Sequence, residues 1–396
     1  NDVVVLTLGP DENPDNPYTI YVFDPVEYLG NESEDTNYTI TLTTDLRKLD
    51  DSPAFADGKP YEWFFEVSTE IDLNPPEVVS VIPRAEDTYA RNISVEISFN
   101  EAMNPLAVSG TYDPLTGGID FTNIVVLETD TTDEQNVTGT FNISNGYKTV
   151  DFTTQDPCGQ DPCGDTIYCL PYNPAGSAST AGIRVEAHAA PLSNEPPQAA
   201  LTGALYAGVV DAASNSLNGN GNVHPETGLD WAEGPPDDDF VWNFRINNKI
   251  DDHVPEIVST LPSILQGKVG HDLDVEIVFD VLMKASTLNT SAMQLIPNPV
   301  YELWFKTGKR DTETQTTAMI QHPTLITEGD GGWDYYNVIT NDVKSAYQIC
   351  MHPSVGPTNN SLDADGKCNV TIAQPYCCNG QPSVYACSPP FAGQRK

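Results

Sequence analysis

The feature that most constrains this chain is that it repeats itself at long range. Trp63-Phe64-Phe65-Glu66-Val67 recurs as Trp242-Asn243-Phe244-Arg245-Ile246. At the same interval after each tryptophan, Pro76-Glu77-Val78-Val79-Ser80-Val81-Ile82-Pro83 recurs as Pro255-Glu256-Ile257-Val258-Ser259-Thr260-Leu261-Pro262. Val95-Glu96-Ile97-Ser98-Phe99 then reappears as Val275-Glu276-Ile277-Val278-Phe279, each followed four residues on by a methionine, Met103 and Met283. A period of about 180 residues is too long for a solenoid and right for whole domains.

Period-two alternation identifies the repeated pieces as strands. Val95, Ile97 and Phe99 fall on one side of an extended chain and Ser94, Glu96 and Ser98 on the other, which predicts a strand with one face buried. Trp63, Phe65 and Val67 alternate likewise, as do Tyr38, Ile40 and Leu42 against Thr39, Thr41 and Thr43, and Ile183, Val185 and Ala187 against Arg184 and Glu186. The 32 prolines and 28 glycines supply turns between short strands and are too many for a helical bundle. An all-β chain of antiparallel β-sandwich domains is expected.

The motif from Pro76 to Pro83, followed by Val95 to Phe99 and Asn100-Glu101-Ala102-Met103, resembles the opening of the bacterial and archaeal immunoglobulin-like domains of the S-layer protein type. Ile183 to Ala187 is similar to that family's late strand. Gly208-Val209-Val210-Asp211-Ala212-Ala213-Ser214-Asn215-Ser216-Leu217 is similar to its Asp-Ala-Ala-Gly-Asn turn, with Ser214 where the family carries glycine, and Phe240 to Ile246 match its closing strand. The resemblance implies tandem immunoglobulin-like sandwiches. Residues 73–251 would be a complete one, carrying a Cys-bearing loop at 156–173 and a long insert at 218–239. Residues 1–72 would be a partial one with late strands only, at Val3 to Leu8, Thr19 to Phe23, Tyr38 to Thr44 and Tyr61 to Ser68. Residues 252–396 would be a third, Cys-rich toward its end, with a late strand at Tyr347 to Met351 and no recognisable final Trp-x-Phe strand. Either the chain is cut from a longer array, or the open sheet edges are filled by neighbouring copies, which gives a head-to-tail polymer or lattice.

Eight cysteines, at 158, 163, 169, 350, 368, 377, 378 and 387, cluster in two turn-rich stretches, which points to disulfides and an oxidising compartment. Zinc would want paired Cys-x-x-Cys units, and Cys158 and Cys163 are separated too far while Cys377 and Cys378 are adjacent. Connectivity stays open. Glycan acceptors of the Asn-x-Ser/Thr type occur at Asn31, Asn37, Asn92, Asn136, Asn142, Asn289, Asn359 and Asn369, which favours a secreted glycoprotein.

Lys and Arg total 18 against 57 Asp and Glu, a net charge of -39 that argues against nucleic acid or an anionic membrane as partner. No apolar run approaches the roughly 18 residues of a membrane helix. The six histidines are scattered, Gly-x-Ser-x-Gly is absent, and Gly219-Asn220-Gly221-Asn222-Val223-His224 reads as a turn rather than a dinucleotide loop. Calcium is the one cofactor weighed. Ser361, Asp363 and Asp365, ahead of Gly366, resemble the first half of a looped calcium site, but the twelfth position is Ile372 rather than Glu. Asp237-Asp238-Asp239 and the run Asp11 to Asn16 would gather cations or serve as acidic loop tips, the latter being preferred. The reading is a non-enzymatic extracellular structural glycoprotein of an S-layer or surface filament, whose partners are copies of itself and glycans. The alternative is an adhesin or carbohydrate-binding spacer module of a larger secreted protein.

Overall fold

The structure, a computed structural model, describes residues 3–8, 20–25, 29–30, 33–48, 50–55, 57–115, 120–131, 133–194, 196–200, 207–223, 231–263, 266–298, 303–326, 334–351, 376–378 and 381–383. Among these the chain is nearly all β, with one short helix, Pro105–Val108, and one 3-10 turn, Ala285–Thr287. No helix among them is long and apolar enough to cross a membrane. The chain divides into two compact units, residues 1–73 and 74–396.

In the first unit, Val3–Leu8 pairs antiparallel with Ile20–Pro25, and Thr36–Leu42 with Tyr61–Val67. The second hairpin keeps the alternation of its sequence. Tyr38, Ile40 and Leu42 on one strand and Trp63, Phe65 and Val67 on the other are half-buried, while Thr39, Thr41, Glu62, Phe64 and Glu66 are exposed. Tyr38 stacks on Phe65 across the ladder with ring centroids 5.8 Å apart, the kind of cross-strand aromatic pair that stabilises a sheet.

The second unit holds two lobes, each around its own hydrophobic core, so the boundary at 251/252 falls inside one compact body. In the first lobe, one five-stranded sheet runs in the order Gln135–Asn136, Ile124–Glu128, Ala181–Ala187, Phe240–Asn247, Thr88–Ala90. Another runs Val78–Ile82, Val95–Phe99, Thr149–Thr154, Gly139–Ser144, Gly110–Tyr112. Both sheets feed a single core, with Ile183, Trp242, Phe244 and Ile246 from one and Ile97, Phe99, Phe141 and Phe152 from the other. Burying each such side chain stabilises the lobe by about 1.5–3 kcal/mol relative to leaving it in water. Trp242 and Phe99 are almost wholly buried, and the Trp242 indole N–H donates to the Pro83 carbonyl, so its polar handle is satisfied.

The second lobe repeats the opening of the first. Its four-stranded sheet runs Ile257–Leu261, Val275–Phe279, Thr316–Gln321, Lys306–Asp311, with Met293–Asn298 paired to Asp334–Ile339 beside it. Val78 faces Phe99 and Ser80 faces Ser98 in one lobe; Ile257 faces Phe279 and Ser259 faces Val278 in the other, with the ladder broken at the same step. Met103 and Met283 are both fully buried. The long-range repeat in the sequence is thus a repeat of register as well as of residues.

One expectation is corrected here. The polar face of Val95–Phe99 does not look outward: Ser94 and Glu96 are each 1% exposed. The second lobe covers that face and supplies a lysine and a backbone N–H to the glutamate, which makes burial of the charge tolerable. A further detail follows the resemblance: Ser214, where the family carries glycine, sits at φ 70°, in the left-handed region that favours glycine. Asp211 holds the turn, accepting from the Asn215 backbone at 2.7 Å and from its side-chain amide at 2.9 Å.

Candidate functional site

The lobes of the second unit meet in a junction built from polar residues, and it is the most elaborate site among the described residues. On the first lobe, Glu96 lies in Val95–Phe99 and faces Asp151 of Thr149–Thr154 in cross-strand register. On the second, Lys309 comes from Lys306–Asp311 and Lys284 from the residue before the 3-10 turn. Lys309 Nζ is 2.5 Å from Glu96 Oε2, 3.0 Å from Asp311 Oδ2 and 2.7 Å from the Met283 carbonyl oxygen. The Ala285 N–H donates to Glu96 Oε1 at 2.9 Å. Lys284 Nζ donates to Thr153 Oγ1 at 2.6 Å and lies 3.4 Å from Asp151 Oδ2, yet neither carboxylate oxygen of the fully buried Asp151 has a hydrogen bond.

Three carboxyl groups here face two ammonium groups, with Glu96, Asp151 and Lys309 buried and Asp311 and Lys284 mostly so. Burial pushes the Glu96 carboxyl above the usual carboxylate range, with Lys309 opposing the rise and Asp151 adding to it. Burial works against the Lys309 ammonium, but Glu96 and Asp311 outweigh it and hold its pKa above the ordinary value. Glu96 and Lys309 are therefore both shifted toward their protonated forms.

A second part of the junction is covalent. Cys163 is disulfide-bonded to Cys350, and Cys158 to Cys169. Asp161 organises the loop, accepting from the backbone of Cys163 and Asp165 at 2.9 Å each and from that of Cys350 at 3.3 Å. Gln348 Nε2 donates to the carbonyls of Asn92 and Tyr168 at 2.9 and 2.7 Å, and its Oε1 accepts from the Tyr168 N–H at 3.0 Å. Asn92 answers from the first lobe, donating to the carbonyls of Asp251 and Tyr347 at 2.8 and 2.7 Å.

As folded, Asn92 presents no accessible side-chain nitrogen to a glycan. It is 0% exposed, and the nitrogen that would carry the sugar is already committed to two carbonyls. Asn37 is exposed, Asn136, Asn142 and Asn289 are half-buried, and Asn31, Asn359 and Asn369 lie outside the described residues. So do Cys368 and Cys387 and the whole Ser361, Asp363, Asp365 loop; Cys377 and Cys378 fall on Tyr376–Cys378, which pairs with Gln381–Ser383. Of the acidic run at 237–239, only Asp237 is an exposed tip. Asp238 is fully buried and accepts from the backbone of Glu233 and Gly234, while Asp239 accepts from the Ala189 N–H at 2.8 Å. These two carboxylates hold the loop backbone.

One open concavity of about 600 Å³ lies on the first lobe, lined among others by Asn136, Glu134, Arg184, Glu186 and His188. Arg184 spends its guanidinium on Glu134 and Glu186, donating one hydrogen bond to Glu186 and two to Glu134 at 2.5–2.8 Å. His188 Nδ1 lies 3.1 Å from Asp239 Oδ2. The charges in this hollow are satisfied by one another.

Sequence reasoning did not single out Lys309, Lys284, Asp151 or Gln348. Glu96 and Asp151 carried a signal, each being a lone carboxylate flanked in its strand by two apolar residues, Val95 and Ile97 or Val150 and Phe152, the pattern of a buried charge with a partner elsewhere.

No family model matches the chain, and no curated protein matches it. Among solved structures, the crystal structure of the N-terminal part of the bacterial S-layer protein SbsC aligns with 66% of this chain at 12% identity and a TM-score of 0.20. The alignment spans 43% of that structure's chain, and at this level of likeness fold and role have to be argued from the present chain itself.

Proposed function

We propose that this protein is a non-enzymatic extracellular structural glycoprotein, a segment of an S-layer or surface filament made of tandem immunoglobulin-like β-sandwiches that associate head-to-tail with copies of themselves. The observation that carries this reading is the junction. Successive repeats that are disulfide-bonded and share a dry polar interface transmit force as one stiff body, which suits a lattice or filament subunit and would handicap a hinged binding array. The disulfides fit an oxidising exterior, and the net charge of -39 suits a surface where cations screen neighbouring copies.

Electron cryotomography of the source cell surface with antibody labelling of this chain tests the reading. Label on a periodic layer or on regular filaments supports it. Label on dispersed monomers, joined by selective binding on a glycan array, would replace it with the adhesin reading.

A further inference from the structure

The buried lysine and glutamate of the junction are set up for more than an ion pair. Lys309 Nζ and the Glu96 carboxyl touch at 2.5 Å with side-chain exposures of 2% and 1%. In such a place a charge pair loses to desolvation about what it gains by attraction. The backbone around them offers the partners of a neutral amide instead. The Ala285 N–H already donates to Glu96 Oε1 at 2.9 Å, where an amide carbonyl would accept. The Met283 carbonyl already accepts from Lys309 Nζ at 2.7 Å, where an amide N–H would donate.

A third carboxyl group stands next to the pair as well, with Lys284 Nζ 3.4 Å from it. Asp151 is the register partner of Glu96, completely buried, with both oxygens lacking a hydrogen bond. Cross-strand partners on one face sit about 5 Å apart at Cβ, within reach of a short proton transfer.

We propose that Lys309 and Glu96 become joined by an isopeptide bond that forms within the folded chain, with Asp151 as the acid that carries the proton. A proton moves from the ammonium to the carboxylate, giving a neutral amine and a neutral acid. The Nζ lone pair attacks Cδ, a C–N bond forms, and the nitrogen's surplus proton passes through Asp151 to the departing hydroxyl. The C–O bond breaks and one water leaves. Nothing is oxidised or reduced, two buried charges disappear, and the lobes gain a second covalent tie besides Cys163–Cys350. This inference does not depend on what the assembled protein is for.

Peptide mapping of the native full-length chain, denatured, reduced and digested with trypsin, decides it. The expected result is a branched species joining the peptides that contain Lys309 and Glu96, lighter than their sum by one water, with no cleavage after Lys309. Linear peptides ending at Lys309 together with unmodified Glu96 peptides overturn the proposal, and this readout needs no variant to fold. In chain refolded from denaturant, Lys309→Arg should abolish the branched species, and Asp151→Asn should slow its appearance by about a hundredfold. An unchanged rate in Asp151→Asn overturns the part assigned to Asp151.

Discussion

Cys163 and Cys350 are bonded to one another across 187 residues, so the hairpin loop of one lobe holds the last described turn of the other. A cross-link that closes so long a loop removes much of the unfolded chain's freedom, about 5 kcal/mol in the chain-entropy account. Replacing both cysteines by serine is expected to lower the unfolding free energy by several kcal/mol, read by urea titration under non-reducing conditions. The shorter Cys158–Cys169 loop, with a separation of 11 residues, should give a smaller loss when treated the same way.

Asn92 should carry no sugar even though its sequence invites one. Glycopeptide mapping is expected to find Asn92 unmodified and Asn37 occupied, since the first is buried and the second exposed. Asn92→Ala leaves the Asp251 N–H and two carbonyls without their partner and should cost about 2–4 kcal/mol, visible as a lower urea midpoint.

Tyr347 sets an alkaline limit. Burial raises its pKa from 10.0 to about 12, with Asp251 and Tyr89 adding to the rise. A raised folded-state value means that the neutral phenol's contribution is intact below pH 10.0 and is lost as pH climbs through about 12. Stability measured by urea midpoint should fall over that window, and Tyr347→Phe should flatten the fall.

Ser214 occupies a glycine's place. At φ 70° a side chain pays a steric penalty, so Ser214→Gly is expected to raise stability by up to about 1 kcal/mol, checked by thermal unfolding. The reverse case is Gly219, where an added Cβ would run into the Asp238 carbonyl; Gly219→Ala should destabilise by about 1–3 kcal/mol.

Much of the β architecture was legible because strands advertise themselves locally. Val95 to Phe99 and Phe240 to Ile246 alternate over consecutive residues, and the duplicated motif placed the lobe openings. The middle strands were harder. Ile124–Glu128 is buried on nearly every residue and shows no alternation, so its period carried no information. Thr149–Thr154 has Asp151 in its centre, which reads as a turn residue until its partner is known. The junction was least legible of all. Lys309 and Glu96 stand 213 residues apart, and no local pattern says that one will cap the other; the alternation that assigned Glu96 to an outer face was correct for the strand and silent about a neighbouring lobe.

The shared register of the two lobe openings carries a hazard for folding. Val78–Ile82 and Ile257–Leu261 make the same ladder with the same break, so either edge strand is a chemically acceptable mate for the other lobe's Val95–Phe99 or Val275–Phe279. What separates the right pairing from the crossed one is small: Ile82 is 6% exposed and wants a core, whereas Leu261 is 42% exposed and does not. On the ribosome the first lobe can claim its own edge strand before the competitor has been made, because domains fold as they emerge. A full-length chain released from denaturant has no such head start, so crossed-over isomers and intertwined dimers are the products to look for when it is refolded at high concentration.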